Sequence, residues 1–440
     1  MHRFSCSLSC VPVRIRLILA IAGCTAPLLG LVLPAGASEK AGNARIKVAD
    51  VKVLSERGST RATFYPQTNK IVTLDGKTHV AWLDSISETM VATYDHASGE
   101  WSPAGKVGTG FDNHGGPALT CDSEGYLHII FGPHHGPFHH RRSAKPNAAA
   151  AWVKLPDFGH NATYPSAVFD EKDTLHIIYR GAKGKKGLTN PRKLVYQRRT
   201  KAGSWSEPRE LVRAPIKSGY THFHCELAIA PDRTLHVSFD IYCNGAAKCA
   251  GHLMSRNRGD TWTLADGSAL DLPVTPESDA IFKRAEPTLR TWNVVCDSNS
   301  RPWISVQGPD GLELFHHDGK QWQIIRPTER LAAKQPSDPL AGYIPMTLDS
   351  SDRIYVMGTQ AGDVVLLSSA DKGRTFHHQR VFQEDAKLPH RGPNIERPTG
   401  HHRVDVPWLL FCTGEKGPDC YGKGLFNVTR AVRLAIDPQP

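Results

Sequence analysis

The sequence predicts an all-β protein, and specifically a seven-bladed β-propeller built from four-stranded antiparallel blades. The main observation is a unit of roughly 50–60 residues that recurs along the chain, a period that indicates a repeat architecture. Each unit has an extended start, a polar turn and a strand of alternating apolar residues, while helical periodicity is nearly absent. Seven such units account for the length. A six-bladed count and a β-sandwich are the structural alternatives.

The first 37 residues are predicted to be a secretion signal. A basic start is followed by an apolar run from Leu17 to Leu33 and by the small residues Ala35, Gly36 and Ala37. Residues 38–440 are then expected to form a single catalytic propeller domain, secreted or periplasmic. Acylation at Cys24, which would make a lipoprotein, is the less favoured alternative.

The composition limits the classes of molecule that this protein is expected to bind. No later stretch is long and apolar enough to span a bilayer, so no membrane span is expected. The formal net charge of +10 at pH 7 favours a polyanion as partner. No nucleic-acid motif or run of basic residues is present, so no nucleic acid is expected. The oligomeric state is not determined by the sequence.

The repeat can be followed from blade to blade. Proline often stands at its extended start, where a missing N–H does least harm to a sheet. The N-terminal segment 46–54 is expected to close the last blade beside residues 425–432. The successive copies begin at Thr63, Phe111, Thr163, Thr221, Ala285, Tyr343 and near Gly392.

Two turns carry a more specific pattern, SRNRGDTW from Ser255 to Trp262 and SADKGRTF from Ser369 to Phe376. An Asn or Asp side chain is expected to cap each turn, while glycine takes a positive φ and the final aromatic residue packs between blades. Both turns resemble the Asp box of sialidase-like BNR propellers.

Strand order places a set of polar residues at one rim. Because antiparallel strands reverse the chain, the start of a blade's first strand, the end of its second and the start of its third share one face. Arg198, in contrast, is expected at the opposite rim, level with the Asp box. The residues that share the first rim are His114, His134, His135, Tyr179, Arg192, His222, His224 and Tyr242.

Histidine, tyrosine and arginine without an acidic pair suit proton abstraction next to a carboxylate. An arginine holds a uronate carboxylate and stabilises the charge that builds up as the C5 proton leaves. A histidine or tyrosine takes that proton, and a second group protonates the leaving oxygen at C4. The predicted reaction is β-elimination, which leaves an unsaturated uronate at the new chain end.

Three segments carry a family resemblance: NHGGPAL with GPHHGPF, the YRG that ends at Gly181, and FDIYC from Phe239 to Cys243. They resemble the propeller ulvan lyases, secreted bacterial enzymes that cleave a sulfated algal polysaccharide beside a uronic acid. The resemblance implies a seven-bladed fold and an anionic, ulvan-like substrate. Its specific motifs lie in blades two to four.

The same resemblance implies site residues. It assigns His114 as a catalytic acid/base with Tyr179 as its partner, His134 as the second histidine, and Tyr242 at the cleavage subsite. An arginine between residues 179 and 200 should neutralise the carboxylate. We choose Arg192 and keep Arg198 in reserve. Whether His114 or Tyr179 removes the proton stays open. The residues predicted to bind substrate are Asn113, His135 and His222.

A metal site is predicted in blade four. His224, Cys243, Cys249 and His252 offer two thiols and two imidazoles, a set that suits a closed, structural zinc ion. The resemblance also implies a structural zinc. A Cys243–Cys249 disulfide is the alternative in an oxidising compartment. No organic cofactor is predicted.

Two other functions fit the same fold. A sialidase-like glycoside hydrolase would need an F/Y-R-I-P start, which this sequence lacks. A non-catalytic carbohydrate-binding propeller would use the rim residues only to hold its ligand. Fold alone does not separate these functions, and the uronate polymer is not identified by the sequence.

Overall fold

Nearly all the regular structure of this chain is β-strand. The computed structural model describes residues 45–182, 192–215, 225–333, 338–383, 388–417 and 424–437. The predicted signal, residues 1–37, lies outside these ranges. Within them the fold is all-β, with a single short 3-10 helix at Pro327–Arg330. The described part of the chain holds no helix with the length and apolarity that a bilayer crossing requires.

The N-terminal strands form part of a nine-stranded sheet. In chain order they are β1 (Ile46–Gly58), β2 (Ile71–Leu74), β3 (Lys77–Asp84), β4 (Glu88–Asp95), β5 (Glu100–Trp101) and β6 (Gly105–Thr109).

A seven-stranded sheet follows, ordered sequentially and centred on one long strand that serves two sets of neighbours. Its strands are β7 (Ala118–Cys121), β8 (Leu127–Phe131), β9 (Gly136–Lys145), β10 (Ala148–Phe169), β11 (Leu175–Ala182), β12 (Arg192–Arg199) and β13 (Arg209–Arg213).

Three separate four-stranded antiparallel sheets come next, each a simple meander. They contain β14 (Cys225–Ile229), β15 (Leu235–Cys243), β16 (Ala246–Ser255) and β17 (Ile281–Arg284); β18 (Arg290–Cys296), β19 (Pro302–Gly308), β20 (Gly311–His317) and β21 (Trp322–Ile325); and β22 (Met346–Leu348), β23 (Ile354–Gln360), β24 (Asp363–Ser369) and β25 (His377–Phe382).

The last strands return to the first sheet. They are β26 (His390–Ile395), β27 (Leu409–Thr413) and β28 (Asn427–Ile436), and β28 pairs antiparallel with β1 over most of its length. Val51 lies opposite Val432 in that pairing. The prediction that the N-terminal strand completes the last set of strands is confirmed.

Successive sheets pack against one another through their first strands. β14 contacts β10 and β18, β18 contacts β22, and β2 contacts β7. Side chains from the end of the chain reach the beginning: Thr63 donates to the Gly392 carbonyl at 2.7 Å, and Asn394 donates to the Thr68 carbonyl at 3.3 Å. The apolar cores lie between neighbouring sheets, so the innermost strands are buried on both faces.

Both Asp-box predictions are confirmed. In the first turn Asn257 accepts from the Thr261 amide at 2.8 Å, and in the second Asp371 accepts from the Thr375 amide at 2.9 Å. Each turn also has a serine that accepts from the glycine amide, and both glycines have positive φ. Trp262 and Phe376 are buried against side chains of the preceding sheet.

A second repeated device was not predicted from the sequence. In four turns, two of them in the seven-stranded sheet, an aspartate between consecutive strands caps two backbone amides with one oxygen and binds a ring six residues later with the other. One carboxylate thus fixes both the backbone of the turn and the position of the ring. The pairs are Asp122 with His128, Asp170 with His176, Asp297 with Trp303 and Asp349 with Tyr355.

Asp170 is the most heavily used of these aspartates. Its Oδ2 also accepts from Arg258 Nε, at 2.7 Å, which joins two neighbouring sheets. Burial by itself would raise the pKa of this carboxyl, but hydrogen bonds from His176, Thr174 and Arg258 outweigh it and hold the pKa well below its usual range. The folded state is therefore stabilised above the unfolded carboxyl pKa, near 4, and loses that contribution as the pH falls below it.

We expect Asp170→Ala to lower the free energy of unfolding by about 3 kcal/mol, because it leaves a buried histidine and an arginine without their partner. Chemical denaturation at neutral pH measures this loss. Below pH 4 the free energy of unfolding of the variant should also fall less steeply than that of the wild type. Asp232→Ala is the matched control, since Asp232 caps only the Thr234 amide. Equal losses in the two variants would contradict the role given to Asp170.

Candidate active site

One buried carboxylate holds two histidines side by side. Asp112 Oδ1 lies 2.9 Å from His114 Nδ1 and accepts from the His114 amide at 2.7 Å, while its Oδ2 lies 2.6 Å from His134 Nδ1. The two imidazole rings stack with centroids 4.0 Å apart. With both Nδ1–H groups directed at the carboxylate, each neutral ring carries its lone pair on Nε2.

The local chain explains this arrangement. His114 precedes β7 and His134 follows β8, so the reversal of the hairpin returns both to the same end of the sheet. The two segments are joined where the Phe111 amide donates to the Gly132 carbonyl at 2.8 Å. Gly132 has φ +110° and a Cβ there would lie 2.6 Å from the His139 ring, so glycine is required at this crossing.

An arginine from the first sheet completes the group. Arg61 Nη1 contacts His114 Nε2 and donates to the Tyr65 hydroxyl at 2.7 Å. The Tyr65 ring is stacked near His114, with centroids 6.1 Å apart, and packs on Tyr164 at 4.7 Å. Cation, imidazole and phenol are thus in direct contact.

A second, buried arginine packs against this cluster. The guanidinium of Arg180 lies over the Tyr164 ring, 4.5 Å from its centroid. Tyr65 and Tyr164 both have positive φ, an uncommon conformation for residues with bulky side chains. Strained backbone is found most often where a side chain must be held in one functional position.

The histidine pair opens onto a cleft of about 750 Å³. His134 lines it with 19% of its side chain exposed, whereas His114 is nearly covered. Within the described residues, no protein group bonds to His134 Nε2. Phe111, which is 63% exposed, stands at the same cleft. The accessible groups are therefore an imidazole lone pair and an aromatic face.

Electrostatics sets the protonation states. Burial lowers the pKa of His114 to about 4, with Arg61 and His134 acting in the same direction and Asp112 opposing them. Burial would raise the pKa of Asp112, but the hydrogen bonds from the two histidines hold it below its usual range. Burial also raises the pKa of Tyr65 well above 10. At neutral pH the site therefore contains a neutral His114, an ionised Asp112 and a protonated phenol.

The structure places Tyr179 in the packing between two sheets. Its hydroxyl donates to Gln197 at 2.6 Å, and its ring packs on Phe138 inside the apolar core between two sheets. The predicted rim is right, but successive residues of a strand point to opposite faces, and Arg180 takes the face that meets the site. Tyr164 and Tyr65 occupy the place beside His114 that was expected for Tyr179.

Of three other predicted site residues, one lines the cleft and two are placed elsewhere. Asn113 is fully buried and donates to Thr60 at 3.0 Å, so it supports the loop before Arg61 and does not reach the cleft. His135 lines the cleft and stacks on His134 at 4.5 Å. Tyr242 packs under the guanidinium of Arg290, 4.7 Å from its ring centroid.

Two further predictions fall where little or nothing is described. The backbone of Arg192 begins β12 opposite Ala182, at the expected end of the sheet, but its side chain lies outside the described residues. His222 lies outside them entirely. Arg198 is at the other end of the sheet, as expected, and its guanidinium donates to Asp260 at 2.7 Å. Arg198 is therefore not available to this site.

Three of the four predicted zinc ligands are described, and these three do not all lie on one side of their sheet. Cys243 and Cys249 are free thiols, so the alternative disulfide is not formed, and Arg284 donates to Cys249 Sγ at 3.2 Å. His252 stands three residues after Cys249 on the same strand and therefore faces the other side, where its ring bonds to His236 at 3.1 Å. His224 lies outside the described residues. Among the described members of the set, His252 therefore lies apart from the two thiols.

Among the described residues, one group brings three metal-type ligands within 4.8 Å of one another: Asp112, His114 and His134. Its hydrogen bonding favours acid–base chemistry. Both Nδ1 atoms already face the carboxylate, and the Arg61 guanidinium contacts His114 Nε2, where a bound cation would meet an existing positive charge.

Sequence reasoning missed Arg61, Tyr65 and Asp112. Arg61 and Tyr65 precede the first strand of the first repeat, a position that the strand-order argument already places at the active rim. Asp112 stands two residues before His114, where a carboxylate reaches the ring and the amide of the same residue. Both signals were present in the sequence.

We expect Asp112→Asn to reduce kcat by about 10²–10⁴-fold, because an amide offers one acceptor where two Nδ1–H donors converge, so one ring changes tautomer and loses its Nε2 lone pair. Steady-state rates on a uronate-containing polysaccharide measure the effect, and melting curves check that the variant is folded. Asp157→Asn is the control, since Asp157 lies 3.2 Å from His139 at the same cleft. An active Asp112→Asn enzyme with an unchanged pH profile would contradict the role.

Comparison with known proteins gives a consistent group of relatives. Residues 77–330 match the model of a family described as BNR repeat-containing. An ulvan lyase of Alteromonas sp. (strain LOR) is 23% identical over 90% of this chain and 94% of its own length. An ulvan lyase of Nonlabens ulvanivorans is 24% identical over 76% of this chain and 80% of its own.

Solved structures extend the similarity to the fold. A PL25 ulvan lyase bound to -[GlcA(1-4)Rha3S]- superimposes with a TM-score of 0.68 at 16% identity, over 86% of this chain and 94% of that one. The polysaccharide lyase Uly1 gives a TM-score of 0.57 at 12% identity, over 88% and 99% of the two chains.

Proposed function

The chain belongs to the family of BNR repeat-containing proteins, and we propose that it is a polysaccharide lyase that cleaves an ulvan-like, uronate-containing polysaccharide by β-elimination. One observation carries the proposal: a carboxylate-anchored histidine pair, in contact with an arginine and a phenol, opens onto a cleft. Relatives of similar length that are named ulvan lyases support the same reaction class.

The substrate carboxylate binds first in this mechanism. Arg61 keeps one nitrogen on His114 and Tyr65, and the rest of its planar guanidinium can hold a carboxylate. Neutralising the carboxylate stabilises the negative charge that develops when the neighbouring C5–H bond breaks. The exposed ring of Phe111 suits packing against the apolar face of a sugar at the same cleft.

Proton transfer then follows from the protonation states. His134 Nε2 faces the cleft and accepts the C5 proton, the C–H electrons form the C4–C5 double bond, and the bond from C4 to the leaving oxygen breaks. A protonated phenol returns a proton to that oxygen. We assign Tyr65 to this step because its phenol is protonated at neutral pH and its oxygen accepts from the Arg61 cation, which leaves its own hydrogen to donate.

The architecture we propose is a seven-bladed propeller. The strands form a group of four and a group of five within the nine-stranded sheet, two groups sharing β10, and three separate sheets. Contacts between successive first strands, and from the last group back to the first, support a closed ring. We also propose that residues 38–440 are one catalytic domain and that the protein is exported by the signal at residues 1–37.

The test is a screen of uronate polymers with the purified protein. Ulvan, heparin-like, chondroitin-like and pectic substrates are incubated separately, and the ultraviolet absorbance of unsaturated uronate is followed together with new reducing ends. Both signals should rise together on ulvan. New reducing ends without the absorbance would indicate a hydrolase, and binding with neither signal would indicate a carbohydrate-binding protein. Either result overturns the proposal.

A further inference from the structure

Three guanidinium groups from distant parts of the chain converge beside the candidate active site. Arg61 precedes β2, Arg290 begins β18 and Arg391 lies near the start of β26. Each therefore stands at the start of the first strand of its own set, the end of the sheets where His114 is found. Arg391 Nη1 lies 3.4 Å from the Thr60 carbonyl, next to Arg61 in sequence.

Aromatic rings connect these arginines into one surface. Arg391 lies over the Phe64 ring at 4.6 Å, Phe64 contacts Tyr343 edge to face at 5.1 Å, and Tyr343 packs on Trp292 at 5.1 Å. Arg290, two residues before Trp292, lies over the Tyr242 ring at 4.7 Å. The guanidinium groups of Arg290 and Arg391 are thus each held over an aromatic ring.

The three arginines differ from most other half-buried arginines of the described residues in their partners. Within the described ranges, none of these three arginines forms an ion pair, whereas Arg258, Arg326 and Arg397 each bind a carboxylate. Among the described residues, the Arg290 guanidinium is bonded to neutral oxygens, those of Thr288 and Leu289. The three positive charges also act together on Tyr343, whose pKa burial raises to about 12 against their opposing effect.

Half-buried arginines without carboxylates form a ready site for an anion. Arg61 is committed to the histidine pair and to the substrate carboxylate. Arg391 and Arg290 lie along the same rim, and among the described residues neither is bonded to the histidine pair. A second negative charge on the same polymer, carried by a sugar next to the cleaved linkage, would meet them.

We propose that Arg290 and Arg391 form a subsite for a sulfate ester on a sugar adjacent to the cleaved uronate. The inference rests on the proposed lyase function. A sulfate ester suits the pair better than a hydroxyl because it is always ionised and has three acceptor oxygens that planar guanidinium edges can share. A carboxylate of a neighbouring uronate has the same charge, and the experiment separates the two sources.

The experiment compares native and chemically desulfated ulvan from the same batch. Arg290→Gln and Arg391→Gln are each expected to raise KM on native ulvan about tenfold or more, as expected for hydrogen bonds to a charged group, with little change in kcat. Removing the sulfate esters should raise the KM of the wild type by a similar factor. It should not raise the KM of the variants further. Arg290→Lys and Arg391→Lys, which keep the charge, should retain part of the affinity.

Arg142→Gln is the matched control, since Arg142 lies over the Tyr126 ring at 4.5 Å in the second sheet, opposite His128 and away from the cleft. Melting curves check that every variant is folded. Equal losses on both polymers would assign the arginines to a carboxylate, and unchanged KM values would show that they bind nothing. Either outcome overturns the inference. Failure of the wild type to cleave both polymers would instead overturn the lyase function, and the retention of each variant in ulvan-containing gels would still measure the subsite.

Discussion

His134→Ala is expected to lower kcat for elimination by about 10²–10⁴-fold, the range that a positioned general base contributes. The reason is geometric. His134 Nδ1 is held by Asp112 at 2.6 Å, so its lone pair is on Nε2, the atom that we propose takes the C5 proton at the cleft. The initial rate of unsaturated uronate formation on saturating ulvan measures the loss.

His114→Ala should lose activity within the same range, because its ring stacks on His134 and links Asp112 to Arg61. The double variant should lose little more than the worse single variant, since the two rings act as one unit. His160→Ala is the control, an exposed histidine whose ring lies 3.3 Å from the cleft residue Asn161. A His134→Ala enzyme that keeps wild-type kcat would remove the proposed base.

The pH dependence of the wild type gives a further reading of this pair. Because the pKa of His114 is lowered to about 4, its ring stays neutral through the weakly acidic range and becomes charged only near pH 4. The unfolded chain takes up this proton near pH 6.5, so this group also makes the folded state less stable as the pH falls from 6.5 towards 4.

Arg61→Ala is expected to reduce kcat/KM by about 10²–10³-fold, the loss found when one donor that stabilises a developing charge is removed. Arg61 is the described arginine that contacts the histidine pair directly, and it also fixes the Tyr65 hydroxyl. Most of the loss should appear in kcat, because the charge on the substrate carboxylate grows as the proton leaves. Kinetics on ulvan, with melting curves, measure it.

Arg61→Lys should recover only part of the activity, because an ammonium group cannot hold a carboxylate and the imidazole in one plane. Arg192→Ala provides the decisive comparison, since Arg192 was the sequence-based choice for the same role. If Arg192→Ala loses activity and Arg61→Ala does not, the carboxylate is bound by Arg192, and Arg61 serves only to position His114 and Tyr65.

Local patterns were sufficient for much of the fold. The Asp-box turns at Ser255 and Ser369, and the pairing of the N-terminal strand with the last one, are found as expected because each depends on a few adjacent residues or on strand alternation. The proximity of His114 and His134 was also predictable, since a hairpin returns its two ends to one edge.

Errors arose where the face of a strand had to be chosen. Tyr179 was expected in the site, but alternation directs it into the core and turns Arg180 towards Tyr164. His252 was expected beside Cys249, yet three residues along a strand place it on the other side. The end of the sheet at which a residue lies follows from residue order alone. The face to which its side chain points also requires the strand register.

By itself, the amino-acid sequence determined the all-β class, the repeat, the capped turns and the rim at which histidines 114 and 134 meet. Those features arise from contacts between residues close in the chain. Only the tertiary structure brought Arg61 to His114, and Arg290 and Arg391 to the rim beside them, because these residues are far apart in the chain and belong to different sets of strands. Packing between sheets decides such contacts, and no local pattern encodes which distant side chains will share one surface.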